Sequence, residues 1–389
     1  MKALFLESLP YESAFRVGSH HYATRFLTHD WECMWLSHPL SPLHLVHPVK
    51  RDFEVRMRSW RSGPIDYGRL AYYSPMTLLP STPLPLLRSW AVARSSVRLT
   101  VPNARSMVGR RGFDSPDLVW LTNPIYQPLA ERLQAGCRAV RVADDTTAFE
   151  NVPDSVRELE DAALADADVI FAVASSVRDR LAERYANVVH LPNGVEFERF
   201  SAHTDEPADL AAIPGPRVLY VGATEYWFDA ALLAECARAL PDASFLLVGP
   251  ESARVTEAVA DLRNVHLLGP RPYAEVPAYM RACDVGIVPF VRSDMVDAIH
   301  PIKVYEYLAA GLPVVSIGWP ELEAMEAPVE SCERDGFCER IADVLAGRGS
   351  SAGERDSRLA YAQANSWDAR FEVVQREVEA VLAGRSGQP

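Results

Sequence analysis

The sequence predicts an α/β protein built from two doubly wound domains, and three observations carry that prediction. Short apolar segments alternate with helical patterns, the mark of parallel strands covered on both faces. The alternation stops in a polar, proline-bearing stretch, SAHTDEPADLAAIPG, between Phe200 and Pro216, and then restarts. The chain has 389 residues, 48% hydrophobic and 23% charged, which is enough to fill two cores. The expected division is 1–197, 198–365 and a closing helix and tail over 366–389.

In order, Lys2 to Leu6 reads as a strand, Gly18 to Thr28 as a helix and Glu32 to Ser37 as a second strand. Leu118 to Leu121 is the next strand, followed by a helix over Pro128 to Ala135, a strand over Ala139 to Val142 and an acidic helix over Ser155 to Asp166. Val169 to Ala174 is a buried strand, Ser176 to Tyr185 a helix and Val188 to Leu191 a strand. The second half gives strands at Val218 to Val221, Ser244 to Val248, Val265 to Leu268, Val285 to Pro289 and Val314 to Ile317. Its helices fall near Asp229 to Leu240, Val276 to Ala282 and Pro301 to Gly311, and Ser366 to Leu382 forms the closing helix, expected to cross back over the domains. Two such domains facing one another would leave a cleft at the carboxyl ends of both sheets, where ligands bind in this class.

The segment PIKVYEYLAAGLPVVS, residues 301–316, carries the sharpest chemical signal. Pro301 suits a first helical turn, Gly311 a left-handed C-terminal position, and Pro313 a stop. Lys303 falls in the first turn, where the helix dipole disfavours a cation by about 0.3–1 kcal/mol. An anion at the helix start resolves that conflict: backbone N–H groups and Lys303 would hold a diphosphate, and Glu306, one turn deeper, would accept hydrogen bonds from sugar hydroxyls. An isolated K-x-x-E also fits an ordinary amphipathic surface helix.

Charge is uneven. The chain stands at −13, yet residues 50–111 hold twelve Lys or Arg against Asp52, Glu54 and Asp66, a local +9 that leaves −22 elsewhere. Trp60, Tyr67, Tyr72, Tyr73 and Trp90 and the run PMTLLPSTPLPLLRSW lie in the same segment. Basic residues with interfacial aromatics suit an anionic lipid surface or a lipid-linked phosphate; a packed region with solvated arginines is the alternative. So negative a remainder disfavours nucleic acid as a partner. Six scattered cysteines with no C-x-x-C suggest neither a zinc site nor a disulfide framework. The start MKALFLESLP is too short an apolar run for a signal peptide, and no uninterrupted 18-residue apolar stretch occurs. The expectation is a cytoplasmic protein, peripheral on the inner face of the cell membrane.

Several segments in sequence order resemble glycosyltransferases of the GT-B fold, above all the bacterial family 4-like group that builds polysaccharides and glycolipids from nucleotide sugars. LPNGVEFERF (191–200) resembles the interdomain crossing, and RVLYVGATEYWFD (217–229) the first strand and glycine turn of the C-terminal domain. NVHLLGPRPYAEVPAYMRACDVGIVPF (264–290) resembles the nucleotide-base segment, PIKVYEYLAAGLPVV the diphosphate helix, and SWDARF (366–371) the start of the closing helix. The resemblance implies donor contacts at Gly222, Ala223, Thr224, Gly249, Gly269, Arg271, Arg292, Lys303 and Glu306. Two departures stand out. The usual Arg and Lys after the glycine turn are replaced by TEYWFD, and Ala298 stands where the first of two paired glutamates is common, with Asp297 beside it.

RVADD (141–145) followed by TTAF resembles the acceptor segment of the xanthan glucuronosyltransferase group. That likeness makes Asp144 the base that deprotonates the acceptor hydroxyl, with Asp145 beside it; capping of the next turn is the plainer role. Gly18, His20 and His21, at a glycine-led helix start, form a second catalytic and acceptor-side set, and a packed helix residue is the alternative for either histidine. Asp229 also resembles a residue of the same group, with helix capping as an equal reading.

The implied activity is metal-independent transfer of a hexose or hexuronic acid from a nucleoside diphosphate sugar, UDP-linked, to a hydroxyl of a glycan or lipid-linked acceptor, with no cofactor. Asp144 as base argues for inversion, whereas Glu306 in the nucleotide pattern is common among retaining members. A nucleotide-sugar epimerase or hydrolase of the same fold, and a non-catalytic membrane-bound scaffold, are the rival readings.

Overall fold

The computed structural model describes residues 1–13, 16–46, 52–80, 87–143, 152–348 and 351–386. The chain forms two compact units, Met1–Pro192 with Phe371–Pro389, and Asn193–Arg370. The expected boundaries lay at 197/198 and 365/366, so the second unit begins and ends a few residues away from them.

The first unit is built on an eight-stranded sheet. Its strands are β1 (Lys2–Leu6), β2 (Glu32–Leu36), β3 (Ile65–Tyr67), β4 (Leu70–Tyr73), β7 (Leu118–Leu121), β8 (Cys137–Val142), β9 (Val169–Ala172) and β10 (Val188–His190). A separate antiparallel ribbon pairs β5 (Met76–Thr77) with β6 (Thr100–Val101). The sheet order is β10-β9-β8-β7-β1-β2-β4-β3, parallel except for the β3–β4 edge. Continuously apolar sequences such as ALFL in β1 and LVWL in β7 are fully buried, as a sheet covered on both faces requires. The chain runs outward from β1 through β2 and β4, then returns to β7 on the other side. The topological switch therefore lies between β1 and β7.

The second unit carries β11 (Arg217–Val221), β12 (Ser244–Val248), β13 (Val265–Gly269), β14 (Val285–Val288), β15 (Val314–Ile317) and β16 (Glu330–Cys332). All run parallel in the order β13-β12-β11-β14-β15-β16, and the switch lies between β11 and β14. The helix Ile302–Ala309 packs against Ala352–Ala364, and Arg358 Nε donates to Gly311 O at 3.1 Å. Gly311 holds φ +77°, the left-handed end expected for this helix, while Pro301 sits one position earlier than expected, at its N-cap.

Three expectations are corrected. The helix placed at Pro128–Ala135 is a 3₁₀ turn over Pro124–Tyr126 running into Gln127–Ala130, because two prolines and Asn123 set the start four residues earlier. The basic segment, to which the sequence reading gave no strand, supplies β3 and β4 to the main sheet. The cysteines are not all unpaired: Cys236 on helix Ala230–Ala239 and Cys338 on helix Phe337–Leu345 form a disulfide, with Cα atoms 5.0 Å apart across 102 residues of sequence. Packing of those two helices, invisible in cysteine spacing, brings them together. Cys33, Cys137, Cys283 and Cys332 are free.

Candidate functional site

In the second unit, adjacent strands end on glycine. Gly222 follows β11 at φ +138°, Gly249 follows β12 at φ +148°, and Gly269 closes β13 at φ +71°. The first two are required by space as well as by backbone. A Cβ on Gly222 would lie 2.8 Å from Lys303 Nζ, and one on Gly249 only 2.2 Å from Gly222 O. The result is bare backbone along the carboxyl edge of the sheet, beside its switch point. Gly222 N donates to Val248 O at 2.9 Å and Gly249 N to Gly269 O at 3.0 Å, so the turns brace one another. Ala223 O accepts from Tyr220 Oη at 2.9 Å, and Thr224, 2% exposed, is fixed by Ser252 N donating to its Oγ1 at 2.8 Å.

Lys303, in the first turn of Ile302–Ala309, reaches back to this edge. Its Nζ donates to Tyr220 Oη at 2.9 Å and stands 4.1 Å from the Tyr220 ring centroid and 4.9 Å from that of Phe290. Two aromatic faces thus hold the ammonium, and among the described residues no acidic side chain forms an ion pair with it. Burial pulls Lys303 down to about 7, against the attraction of Glu306. Glu306 is itself buried, and Tyr273 Oη donates to its Oε1 at 2.9 Å. Burial pushes Glu306 up to about 7, opposed by the Tyr273 hydrogen bond and by Lys303. Two buried titratable groups one helical turn apart, both shifted by burial to about 7, are suited to receiving a charged, hydroxylated ligand.

The other expected donor residues are engaged elsewhere. Arg271 bonds Asp209 at 2.8 Å and Tyr279 Oη at 2.8 Å. Arg292 pairs with Asp297 at 2.8 Å and donates to Gly318 O at 2.7 Å, so the carboxylate beside Ala298 faces an arginine. Gly269 N donates to Glu251 Oε1 at 3.0 Å. Asp229 is a capping residue: its Oδ1 accepts from Leu232 N at 2.9 Å, and Oδ2 accepts from Arg334 Nε at 3.0 Å.

In the first unit, Gly18 opens the helix Gly18–Thr28 against Arg141, whose Nη2 lies 2.6 Å from where a Cβ would stand. His20 is fully buried, and both ring nitrogens are used: Nδ1 accepts from Val17 N at 3.1 Å and Nε2 donates to Pro10 O at 3.0 Å. This arrangement, with burial pulling it down to about 4, makes His20 a neutral bracket for the helix start with no nitrogen left for an acceptor, contrary to the catalytic role expected of it. His21 is 3% exposed, and its carbonyl accepts from Arg25 Nη1 at 3.3 Å. Asp144 and Asp145 lie outside the described residues.

The sequence reading missed Glu7, which directly follows β1 at this unit's switch point. Its side chain is 2% exposed; one oxygen accepts from Thr122 Oγ1, and the other, Oε1, is buried as well. Asn123, after β7, donates from Nδ2 to Glu7 O at 3.3 Å and lies 3.1 Å from His38 Nδ1. Burial raises Glu7 to about 7, countered by hydrogen bonds from Thr122 and Ser19 and by the charge of Arg141. A carboxylate just past an apolar strand was the available signal, whereas Asp144 was picked out by resemblance alone. Among the described residues no group of three or more His, Cys, Asp or Glu is placed to hold a metal ion.

Comparison with known proteins places this geometry. Residues 215–346 match the family model for glycosyl transferases group 1. The putative teichuronic acid biosynthesis glycosyltransferase TuaH of Bacillus subtilis (strain 168) is 31% identical over 194 residues, 47% of this chain and 49% of that protein. The chain thus spans about half the length of the curated relative it matches. Among solved structures, sucrose-phosphate synthase (tll1590) from Thermosynechococcus elongatus superposes with a TM-score of 0.71 at 15% identity, covering 99% of this chain and 100% of that one. Anabaena Alr3699/HepE in complex with UDP and glucose gives 0.67 at 14% identity, over 97% and 99%. The chain therefore has the GT-B fold, and residues 215–346 of its second unit are similar to glycosyl transferases group 1.

Proposed function

We propose that this protein is a glycosyltransferase that moves a hexose or hexuronic acid from a UDP-linked sugar to a hydroxyl of a glycan or lipid-linked glycan during polysaccharide or glycolipid synthesis. The observation that carries the reading is the Lys303–Glu306 pair, buried on the first turns of a helix at the switch point and facing glycine turns that leave backbone bare. Its donor class is supported by neighbours of the same fold solved with UDP and glucose and with UDP-2-fluoro glucose, and its pathway class by the teichuronic acid name of the matched relative.

The diphosphate would take the Lys303 ammonium and the N–H groups of the helix start, and Glu306 would accept from sugar or ribose hydroxyls. In transfer, the acceptor hydroxyl gives up its proton to a base, its oxygen bonds to the anomeric carbon, and the bond from that carbon to the diphosphate breaks. Negative charge then grows on the leaving UDP, and Lys303 with the helix dipole stabilises it in a water-poor setting, so the reaction needs no metal in this reading. Asp144 remains the proposed base, and Gly18, Asp145 and Glu7 are the residues proposed to serve the acceptor.

The enzyme works in the cytoplasm as a peripheral protein on the anionic inner face of the cell membrane, held by its basic 50–111 segment. Among the described residues no helix is long and apolar enough to cross a membrane. Titration calorimetry with UDP, GDP and ADP on the wild type and on Lys303→Ala tests the donor assignment. UDP binding that is lost in the variant is the expected result; no binding of any nucleotide would favour the scaffold reading instead.

A further inference from the structure

The first unit holds a small basic cavity that the transfer reaction does not use. It has a volume of about 160 Å³, and its walls include Arg98, Arg105, Arg132, Val97, Asn103 and Leu129. The three arginines come from separate places: Arg98 just past helix Trp90–Ser96, Arg105 within Ala104–Arg110, and Arg132 just past Gln127–Ala130. Glu131, next in the chain to Arg132, is spent on another partner, accepting from Arg94 Nη2 at 2.9 and 3.1 Å while Arg98 stands 3.9 Å away. Among the described residues neither Arg105 nor Arg132 has an ion-pair partner. Asn103 is occupied with backbone, accepting from Ser106 N and donating to Arg98 O, which fixes the floor of the cavity. Sites for drug-sized ligands run to about 300–1,000 Å³. This one suits a single compact anionic group, and converging guanidinium forks select a phosphate.

The surroundings say what carries that phosphate. The β5–β6 ribbon continues past Thr77 and Thr100 to Leu78, whose N–H donates to Leu99 O at 3.1 Å. Thr77 and Thr100 are buried on one face, so Leu78, Leu99 and Val101 fall on the other, where they are 59%, 44% and 48% exposed. Leu99 directly follows Arg98, and Trp90, at the start of the helix that leads to Arg98, is exposed, with the Arg94 guanidinium 5.1 Å from its ring. Exposed apolar side chains on the chain segment that leads into a phosphate-sized basic pocket match the boundary between headgroups and acyl chains. A soluble phosphate would gain nothing from those apolar side chains, and the −22 carried by the rest of the chain repels a long polyanion.

We propose that Arg98, Arg105 and Arg132 form a headgroup site for an anionic phospholipid, with Leu78, Leu99 and Val101 inserting beside it. This rests on the reading of the chain as a peripheral membrane enzyme and gives that reading a defined point of attachment.

The test is sedimentation with vesicles of phosphatidylcholine, alone and mixed with phosphatidylglycerol, for the wild type, Arg105→Gln/Arg132→Gln and Leu99→Ser. Both arginines are exposed and, among the described residues, have no ion-pair partner, so the double variant folds, and it keeps UDP binding. The wild type should bind the phosphatidylglycerol vesicles selectively. The double variant should bind them about 30-fold more weakly, about 2 kcal/mol at roughly 1 kcal/mol per arginine near an anionic surface. Leu99→Ser should bind about tenfold more weakly. Equal binding by the wild type and the double variant overturns the headgroup site and leaves membrane attachment standing. No vesicle binding by the wild type, with UDP binding intact, overturns the site and the membrane reading while the transferase assignment survives. Arginine-dependent calorimetric binding of inorganic phosphate without vesicle binding reassigns the pocket to a soluble anion and likewise overturns the proposal.

Discussion

Donor binding should draw a proton onto Lys303, and the size of that uptake follows from where the ammonium sits. Burial pulls Lys303 down to about 7, so at pH 8 only about one molecule in ten carries the charge in the free protein. A diphosphate placed at the helix start favours the charged form and restores it, so binding at pH 8 takes up about 0.9 proton from the buffer. Two readouts follow. In calorimetry at pH 8, the UDP heat should differ between buffers of unlike ionisation enthalpy by nearly one protonation. The association constant should also fall about tenfold between pH 8 and pH 9, where UDP phosphates are already ionised. Lys303→Arg supplies the control, because a guanidinium stays charged across this range and should flatten the slope even if its shape weakens binding. Tight UDP binding whose heat is independent of the buffer at pH 8 would refute the placement of Lys303 against the diphosphate.

Three further outcomes are expected. Glu7, raised from 4.5 to about 7, binds its proton more tightly folded than unfolded, so its contribution to stability declines as pH rises from about 4.5 to 7. Glu7→Gln should therefore be more stable than the wild type at pH 8, by up to about 3 kcal/mol in urea unfolding, with little difference at pH 5. Gly249→Ala should lose about 3 kcal/mol or more, since its Cβ would meet Gly222 O at 2.2 Å on a left-handed backbone; unchanged unfolding would contradict the packing of the two turns. Alkylation of the unfolded protein without reductant should label Cys33, Cys137, Cys283 and Cys332 and spare Cys236 and Cys338, as read by peptide mass spectrometry.

Much of the fold was legible because buried parallel strands write themselves as uninterrupted apolar runs: Lys2–Leu6, Leu118–Leu121, Ser244–Val248 and Val314–Ile317 match residue for residue. The strands of the basic segment were not, since LAYY in β4 is short and IDY in β3 is an edge with a charge in it. In the candidate site, Lys303 and Glu306 stood out because a cation in a first helical turn breaks a local rule. Tyr220, Phe290 and Tyr273, which enclose the pair, obey every local rule as core aromatics. They become visible only when β11, β14 and the loop after β13 are brought together. His20 shows the converse: a glycine-led helix start marks a place for chemistry, yet the ring nitrogens were already committed to Val17 and Pro10.

The first unit is completed by the last stretch of the chain, from Phe371 onward. Phe371 packs edge-on against Phe26, Leu382 covers Gly136, and Arg385 reaches Asp168 at 2.6 Å and Ala135 O at 2.8 Å. During synthesis the ribosome delivers this seam after the entire second unit, so the first unit waits unfinished, with an apolar flank uncovered, while some 180 residues fold in between. A nonsense codon or protease cut near the carboxyl end would consequently injure the half of the protein made first. Expression of residues 1–192 alone would yield a sheet missing its last staple.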